Sequence, residues 1–174
     1  MRRRDILLGS LVLTMANAAD AASPEDTLVI ELASGKVVIE MFPDVAPQHV
    51  QRIKELAREG FYDGVVFHRV IPGFMAQTGD PTGTGTGGSG KGNLMAEFNK
   101  KPFVRGTVGA ARSQNPNSAD SQFFICFAPA PHLNGQYTVW GQVIEGMENV
   151  DKVAVGEPPA NPTKMTKVRL QSDL

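Results

Sequence analysis

The chain has 174 residues, of which 41% are hydrophobic and 20% charged, and its formal net charge is -1. This length is enough for one domain with its own core, and the composition is too apolar for a disordered protein. Lysine and arginine are scattered along the chain, which argues against a nucleic-acid partner or a membrane-binding surface.

The first two dozen residues have the layout of a secretory signal. Three arginines at positions 2–4 precede an apolar run over residues 6–16, and small residues follow it. The run is too short to span a bilayer, so the pattern predicts a cleaved segment rather than a stable membrane anchor. An uncleaved N-terminal anchor is the alternative interpretation.

Export of the mature protein follows from this segment. The small residues suit cleavage after Ala18 or after Ala21, and the paired arginines weakly resemble a twin-arginine signal. We expect residues 1–21 to be a signal peptide and residues 22–174 to be the mature domain. The sequence therefore predicts a periplasmic or secreted protein.

A β-hairpin is predicted at the start of the mature domain. Apolar residues alternate with other residues over positions 28–32 and again over positions 37–41. Ser34 and Gly35 lie between the two runs and favour a tight turn.

A helix is predicted next, from Asp44 to Gly60, because Pro47 suits a first turn, an apolar stripe follows and Gly60 suits a stop. A second, short helix is predicted over residues 147–155. Six further strand-like runs are predicted at residues 65–71, 74–78, 107–111, 123–127, 137–143 and 167–171. Many short strands with only two helices favour a closed antiparallel barrel or a sandwich, with the helices over the open ends of a barrel.

The segment Phe67–Asp80, FHRVIPGFMAQTGD, carries the strongest functional signal. It places Arg69 shortly before a Pro-Gly turn, which leads into an apolar pair, Phe74 and Met75, and then into Gln77. Arginine keeps its charge at any biological pH and presents its donors in a rigid fork.

A second segment, SQFFICF at residues 121–127, adds another glutamine, Gln122, and another aromatic residue, Phe124. Together the two segments predict an apolar pocket with one permanent cation and two neutral amides beside it. Cys126 lies in the same apolar run, and we interpret it as a small core residue.

Several other site classes are disfavoured. The three histidines, His49, His68 and His132, are widely separated, which argues against a metal site, and no serine has the spacing of a hydrolase triad. We expect His49 on the surface of the first helix and His68 as a packed or hydrogen-bonded structural residue. The glycine-rich stretch at 80–92 nearly matches a phosphate loop but lacks the hydroxyl that would hold magnesium, so a surface loop is predicted there.

The order of these segments resembles that of the cyclophilin peptidyl-prolyl isomerases. The likeness runs from about Thr27 to Leu170. It is carried by FHRVIPGFMAQTGD, the pair Glu97-Phe98, RGTVGAAR at 105–112, SQFFICF, and LNGQYTVWGQVIEGMENVDKV at 133–153. The resemblance implies a closed eight-stranded antiparallel barrel capped by two α-helices. It also implies cis-trans isomerisation of X-Pro bonds in proline-containing polypeptides, without a cofactor.

The resemblance also implies roles for the pocket residues. Arg69 would hydrogen-bond the prolyl nitrogen in the twisted state, and Gln77 would orient Arg69 or bond the substrate backbone. The apolar wall would consist of Phe74, Met75, Phe124 and Leu133. The residues before the proline would contact Ala111, Arg112 and Gln122, while His132 and Tyr137 complete the site. By spacing alone, Phe124 and Met75 would be plain core residues.

The chain departs from the common family pattern at three of these positions. His132 stands where a tryptophan associated with cyclosporin binding is common, so only weak binding of such a macrocycle is expected. Tyr137 stands where a histidine is common and still offers a hydroxyl and a ring face. Arg112 stands where an asparagine is usual, and its added charge predicts tolerance for acidic side chains near the proline.

Two functions fit this pocket. One is an active isomerase, and the other is a non-catalytic binder or folding chaperone that uses the same groove to hold proline-containing segments. Arg69 favours the isomerase, because a binder would not need this cation. We expect a monomer, because the small domain has no obvious interface stripe.

Overall fold

A computed structural model describes residues 22–174. The predicted signal peptide, residues 1–21, lies outside the described residues. The described chain contains two α-helices, α1 (Pro47–Arg58) and α2 (Met147–Val150). Its eight strands are β1 (Thr27–Leu32), β2 (Gly35–Met41), β3 (Arg69–Ile71), β4 (Met75–Thr78), β5 (Thr107–Ala110), β6 (Phe123–Cys126), β7 (Val139–Glu145) and β8 (Lys167–Leu170).

The eight strands form one antiparallel sheet in the order β3-β4-β6-β5-β7-β2-β1-β8, which confirms the predicted mainly-β class. The edge strands β3 and β8 do not form a ladder with each other. Isolated bridges join Val66 to Lys164 and Val70 to Gly156, so the segment before β8 covers the edge beside β3. The predicted closed barrel is therefore slightly overstated, because single bridges rather than a continuous ladder complete it.

The predicted hairpin is β1 and β2, paired from Thr27 opposite Glu40 to Leu32 opposite Gly35. Gly35 has a φ of +135°, and a Cβ there would lie 2.7 Å from the side-chain nitrogen of Asn149. This turn therefore requires glycine both for its backbone conformation and for the close approach of the α2 residue.

Helix α1 begins at Pro47 and ends at Arg58, close to its predicted limits. Its N-terminus has no cap from its own segment. Instead, the carboxylate of Glu97 accepts hydrogen bonds from the backbone N–H groups of Gln48 and His49, at 3.2 and 2.8 Å. The prediction that His49 lies on the helix surface was wrong. Its ring is buried and lies 2.6 Å from Glu97, because this remote carboxylate gives it a polar partner inside the fold.

Some element lengths differ from those predicted. β3 spans only Arg69–Ile71, because the residues before it pair with irregular backbone: the Phe67 N–H donates to the Thr163 carbonyl at 2.8 Å. α2 ends at Val150, whereas the predicted helix extended to residue 155, and turns follow it.

Strand β6 separates the two apolar clusters formed by residues 22–174. Phe123 and Phe124 are consecutive, so their side chains point to opposite faces of the sheet. The Phe123 ring packs edge-on against Trp140 and Tyr62 inside the barrel, whereas Phe124 belongs to an outer cluster with Phe103. The outer cluster forms the floor beneath the candidate site.

Candidate active site

A groove of about 310 Å³ lies over the outer cluster. It is lined by Arg69, Phe74, Met75, Gln77, Ala111, Arg112, Phe124, His132, Leu133 and Tyr137. These are all of the predicted site residues except Gln122, which lines an adjoining pocket of about 400 Å³ and contacts the groove through Gln77.

The centre of the groove is a row of three residues on neighbouring strands. Arg69 lies opposite Gln77 in the β3–β4 ladder, and Gln77 lies opposite Phe124 in the β4–β6 ladder. Directly opposed residues in an antiparallel sheet project from the same face. A row of cation, amide and aromatic ring therefore crosses three strands.

The next residue in this row is Gly109 on β5, opposite Phe124. A Cβ at Gly109 would lie 2.6 Å from Phe124 Cζ and 2.7 Å from Phe103 Cε1. The two rings are stacked with centroids 5.6 Å apart. Glycine at this position thus makes room for the ring that forms the groove floor.

Arg69 is held by two side chains. Its Nε donates to Glu157 Oε1 at 2.8 Å, and its Nη1 donates to Gln77 Oε1 at 3.4 Å. The side chain is 45% exposed, which leaves the guanidinium accessible from the groove. Among the described residues Nη2 has no hydrogen-bond partner, so donors remain for a ligand.

The side-chain amides of Gln77 and Gln122 form a hydrogen-bonded relay that begins at Arg69. Gln77 Nε2 donates to Gln122 Oε1 at 3.0 Å, and Gln122 Nε2 donates to the carbonyls of Gly85 and Gly87, at 3.1 and 3.0 Å. The two predicted amides thus connect the cation to the glycine-rich loop. The loop is largely exposed, as predicted.

Asp80 anchors this loop. Its buried carboxylate accepts hydrogen bonds from the backbone and hydroxyl of Thr82 and from the N–H groups of Gly85 and Gly87. Burial alone would raise the pKa of Asp80, but these hydrogen bonds outweigh it and lower the pKa to about 2. The carboxylate stays ionised and holds the loop in place beside Gln122.

The side chains of the apolar wall are closely packed. Met75, Phe124 and Leu133 are buried, yet each contributes to the groove lining. The ring of Tyr137 meets Phe124 edge-on with centroids 5.9 Å apart, and the exposed ring of His132 lies 5.7 Å from the ring of Phe74. The same side chains are therefore part of the outer cluster and part of the wall.

Arg112 supplies a second cation at the boundary of the groove and the adjoining pocket. Its guanidinium carbon lies 4.3 Å from the centroid of the Tyr137 ring. Its Nη2 donates to the Gln136 carbonyl at 2.7 Å and its Nη1 to the Ser113 carbonyl at 2.9 Å. Stacking and hydrogen bonds hold its charge beside the groove.

Two further residues have structural rather than chemical roles. Cys126 is fully buried, and burial raises the pKa of its thiol to about 12, which agrees with its interpretation as a core residue. His68 is buried, and burial lowers the pKa of its ring, so the ring is neutral near pH 7. Its Nδ1 is buried and has no hydrogen-bond partner in the part of the chain that the structure describes.

Residues 22–174 contain no group of three or more His, Cys, Asp or Glu side chains that could hold a metal ion. No helix in the same range is long and apolar enough to cross a membrane.

The sequence interpretation missed Glu157. This residue is 88 positions from Arg69, and no motif connects the two. The bridge between Val70 and Gly156 brings them together.

Comparison with known proteins gives one consistent family. The model of the family described as "Cyclophilin type peptidyl-prolyl cis-trans isomerase/CLD" matches residues 27–172. A relative from Brucella suis, named a probable peptidyl-prolyl cis-trans isomerase, is 52% identical over 180 residues, covering 94% of this chain and 92% of the relative. Peptidyl-prolyl cis-trans isomerase B of Bacillus subtilis is 44% identical over 124 residues, covering 70% of this chain and 85% of the relative.

Solved structures agree in fold. A cyclophilin from Hirschia baltica superposes with a TM-score of 0.81 at 28% identity, covering 88% of this chain and 76% of that chain. A cyclophilin type isomerase from Cryptosporidium parvum, solved in the presence of the dipeptide Ala-Pro, superposes with a TM-score of 0.77 at 29% identity, covering 83% of this chain and 98% of that chain.

Proposed function

The chain belongs to the family of cyclophilin-type peptidyl-prolyl cis-trans isomerases, and we propose that it twists X-Pro peptide bonds in the groove beside Arg69. The reaction is non-covalent and needs no nucleophile. Arg69 supplies the donor, Gln77 orients it, and the apolar wall holds the proline ring.

The barrier to this reaction is electronic. The X-Pro bond has partial double-bond character, and twisting it costs about 18–20 kcal/mol. Uncatalysed exchange therefore takes on the order of tens of seconds. In the twisted state the conjugation is lost, and the prolyl nitrogen regains a lone pair that can accept a hydrogen bond.

A donor aimed at that nitrogen bonds the twisted state and not the planar one. Such differential binding is what lowers a barrier. The observation that carries the proposal is the row of Arg69, Gln77 and Phe124 on three neighbouring strands. It sets a cation with uncommitted N–H groups beside an aromatic floor on which a proline ring can rest.

The reaction also requires that the proline ring stays fixed, and the buried apolar wall can hold it. Met75 and Phe124 cannot move without disturbing the outer cluster, because they are packed within it. The ring can be held while the preceding carbonyl rotates about the bond. Gln122, Ala111 and Arg112 are positioned along the side where the preceding residues would lie.

A non-catalytic binder is the weaker candidate. Such a binder would need the apolar wall. Arg69 would add little to its affinity, because a charge beside apolar residues is partly desolvated. The names of the relatives also favour the enzyme.

Export is part of the proposal. The basic start, short apolar run and small residues within positions 1–21 support a cleaved signal peptide and a periplasmic or secreted mature domain over residues 22–174. Sequencing the N-terminus of the protein purified from a cell envelope or medium fraction tests this. A start at Ala19 or Ala22 agrees with it, whereas an intact Met1 in the cytoplasmic fraction contradicts it.

We propose proline-containing polypeptides as the partners of the groove, acted on by a monomer. The relative solved with Ala-Pro supports this substrate class. Cyclosporin-like macrocycles are expected to bind weakly, because His132 stands in the wall where a larger ring is common in the family.

The central experiment compares wild type with Arg69→Ala in a protease-coupled assay on a proline tetrapeptide. We expect the isomerisation rate to fall by about 10²–10³, as for the loss of a preorganised transition-state donor. Thermal denaturation should be unchanged, because Arg69 is half exposed.

Arg58→Ala is the matched control, since Arg58 is also an exposed arginine in an ion pair but lies on α1. If Arg69→Ala turned over the peptide at the wild-type rate, Arg69 would have no role as the donor. The wild-type rate should also be nearly flat between about pH 6 and 8, because arginine does not titrate there.

A further inference from the structure

We propose that Glu157 is a positioning residue for the isomerisation, holding the guanidinium of Arg69 in the plane that presents its free N–H groups to the groove. This role depends on Arg69 being the donor to the prolyl nitrogen. Glu157 itself does not line the groove and is not expected to touch the substrate.

The backbone places Glu157 beside Arg69. Val70 N–H donates to the Gly156 carbonyl at 2.8 Å, and Gly156 N–H donates to the Val70 carbonyl at 3.0 Å. In such an antiparallel pair the residue before Val70 lies opposite the residue after Gly156. Arg69 and Glu157 are therefore cross-strand neighbours at the edge of the sheet.

Gly156 shapes the turn that follows this bridge. Its φ is +144°, and a Cβ there would lie 2.6 Å from Pro159 Cα, so the turn requires glycine. The two backbone hydrogen bonds between Gly156 and Val70 keep the residue next to Glu157 paired with β3.

The contacts on the guanidinium are complementary. Glu157 Oε1 accepts from Nε, whereas Gln77 Oε1 accepts from Nη1. Two contacts to different nitrogens restrict rotation of a planar group, whereas one contact would leave it free to turn. The bond to Glu157 is the shorter of the two, at 2.8 Å against 3.4 Å, so Glu157 is the firmer support.

The pair is too exposed to act as a stabiliser of the fold. The side chains of Arg69 and Glu157 are 45% and 55% exposed, and exposed ion pairs contribute little to folding. The carboxylate contacts Nε, so the N–H groups of Nη2, which have no partner among the described residues, stay available to a ligand. Loss of Glu157 should therefore change the rate and not the stability.

The test uses Glu157→Ala and Glu157→Gln with a proline peptide whose exchange is followed over a range of concentrations. We expect kcat of Glu157→Ala to fall about fivefold, the rate equivalent of one exposed ion pair, with KM and thermal midpoint unchanged. Glu157→Gln retains a neutral acceptor and should recover part of the loss. Asp173→Asn is the matched control, because Asp173 is an exposed partner of Arg58 away from the groove.

A double variant separates this role from that of Arg69. In an Arg69→Ala background, Glu157→Ala should have no further effect on kcat, since the group that it positions is gone. An equal fivefold loss in that background would overturn the proposal, as would unchanged kcat in the single variant. If Arg69→Ala itself kept full activity, the assignment of Arg69 as the donor would fail instead, whatever Glu157 does.

Discussion

Gln77 Nε2 donates to Gln122 Oε1 at 3.0 Å, and this bond connects the row of Arg69, Gln77 and Phe124 to the glycine-rich loop. The direction of the bond follows from both ends. Gln77 must present its oxygen to the Arg69 cation, and Gln122 must present its nitrogen to two carbonyls. One orientation of each amide satisfies every contact, so the relay holds a single arrangement around Arg69.

The relay predicts that Gln77→Ala slows the isomerisation by about tenfold while Arg69 remains in place. The substitution removes one of the two supports of the guanidinium and leaves Gln122 Oε1 without its donor. The protease-coupled assay measures the loss, and Gln171→Ala, at an exposed glutamine near the C-terminus, is the control. Full activity in Gln77→Ala would show that the relay does not orient Arg69.

The row at the centre of the site was within reach of sequence analysis. A Pro-Gly turn between two strand-like runs predicts a hairpin, and the hairpin brings Arg69 opposite Gln77. The pairing of that hairpin with the second segment follows only from the family resemblance, because strand order in a sheet is decided by long-range contacts. This is why Phe124 alone was indistinguishable from a core residue.

Contacts made by isolated polar side chains were out of reach. Glu97 caps α1 from 48 positions away and contacts the buried ring of His49, and Glu157 contacts Arg69 through irregular backbone. Neither contact can be predicted from a periodic sequence pattern, because a single carboxylate in a loop has no fixed sequence spacing to its partner. The wrong surface assignment of His49 has the same origin.

The buried histidines predict that stability falls in mild acid. Burial is the largest influence on His49 and on His68, and it lowers the pKa of each below the usual 6.5. The unfolded chain therefore binds more protons below about pH 6.5 than the folded chain does, and the free energy of unfolding decreases as pH falls through that window. At pH 7.5 both rings are neutral in either state, and stability is fully present.

Thermal denaturation at pH 7.5, 6.5 and 5.5 measures this effect. We expect the midpoint of the wild type to drop with pH and the drop to be smaller in His49→Gln, because one buried titrating ring is gone. The exposed His132 provides the control substitution, His132→Gln. A wild-type midpoint that is level from pH 7.5 to 5.5 would contradict the prediction.

The wall predicts a change in macrocycle binding. His132 is exposed and its ring lies 5.7 Å from that of Phe74, at the rim of the groove. His132→Trp would extend this rim with a larger apolar face, so we expect cyclosporin to bind about fivefold more tightly, the usual value of one added aromatic contact. Calorimetric titration measures the affinity, with His132→Ala as the comparison. Unchanged affinity in His132→Trp would refute this view of the wall.

The cation at Arg112 predicts a preference among substrates. Its charge is held by Tyr137 and by the Gln136 carbonyl at the boundary between the groove and the adjoining pocket. A peptide with glutamate shortly before the proline should therefore be turned over about threefold to fivefold faster than one with lysine there, as for a partly exposed charge pair. The ratio should shrink in about 0.5 M salt, because exposed charges are then screened.

Two variants separate the charge of Arg112 from its structural contacts. Arg112→Asn removes both and should bring the glutamate-to-lysine ratio close to one. Arg112→Lys retains the charge but loses the planar stacking on Tyr137 and the forked hydrogen bonds, so it should keep most of the preference. If both variants lost the ratio equally, the preference would arise from the shape that Arg112 gives the pocket. If the wild type turned over the glutamate and lysine peptides at equal rates at low salt, the charge at position 112 would have no part in substrate choice.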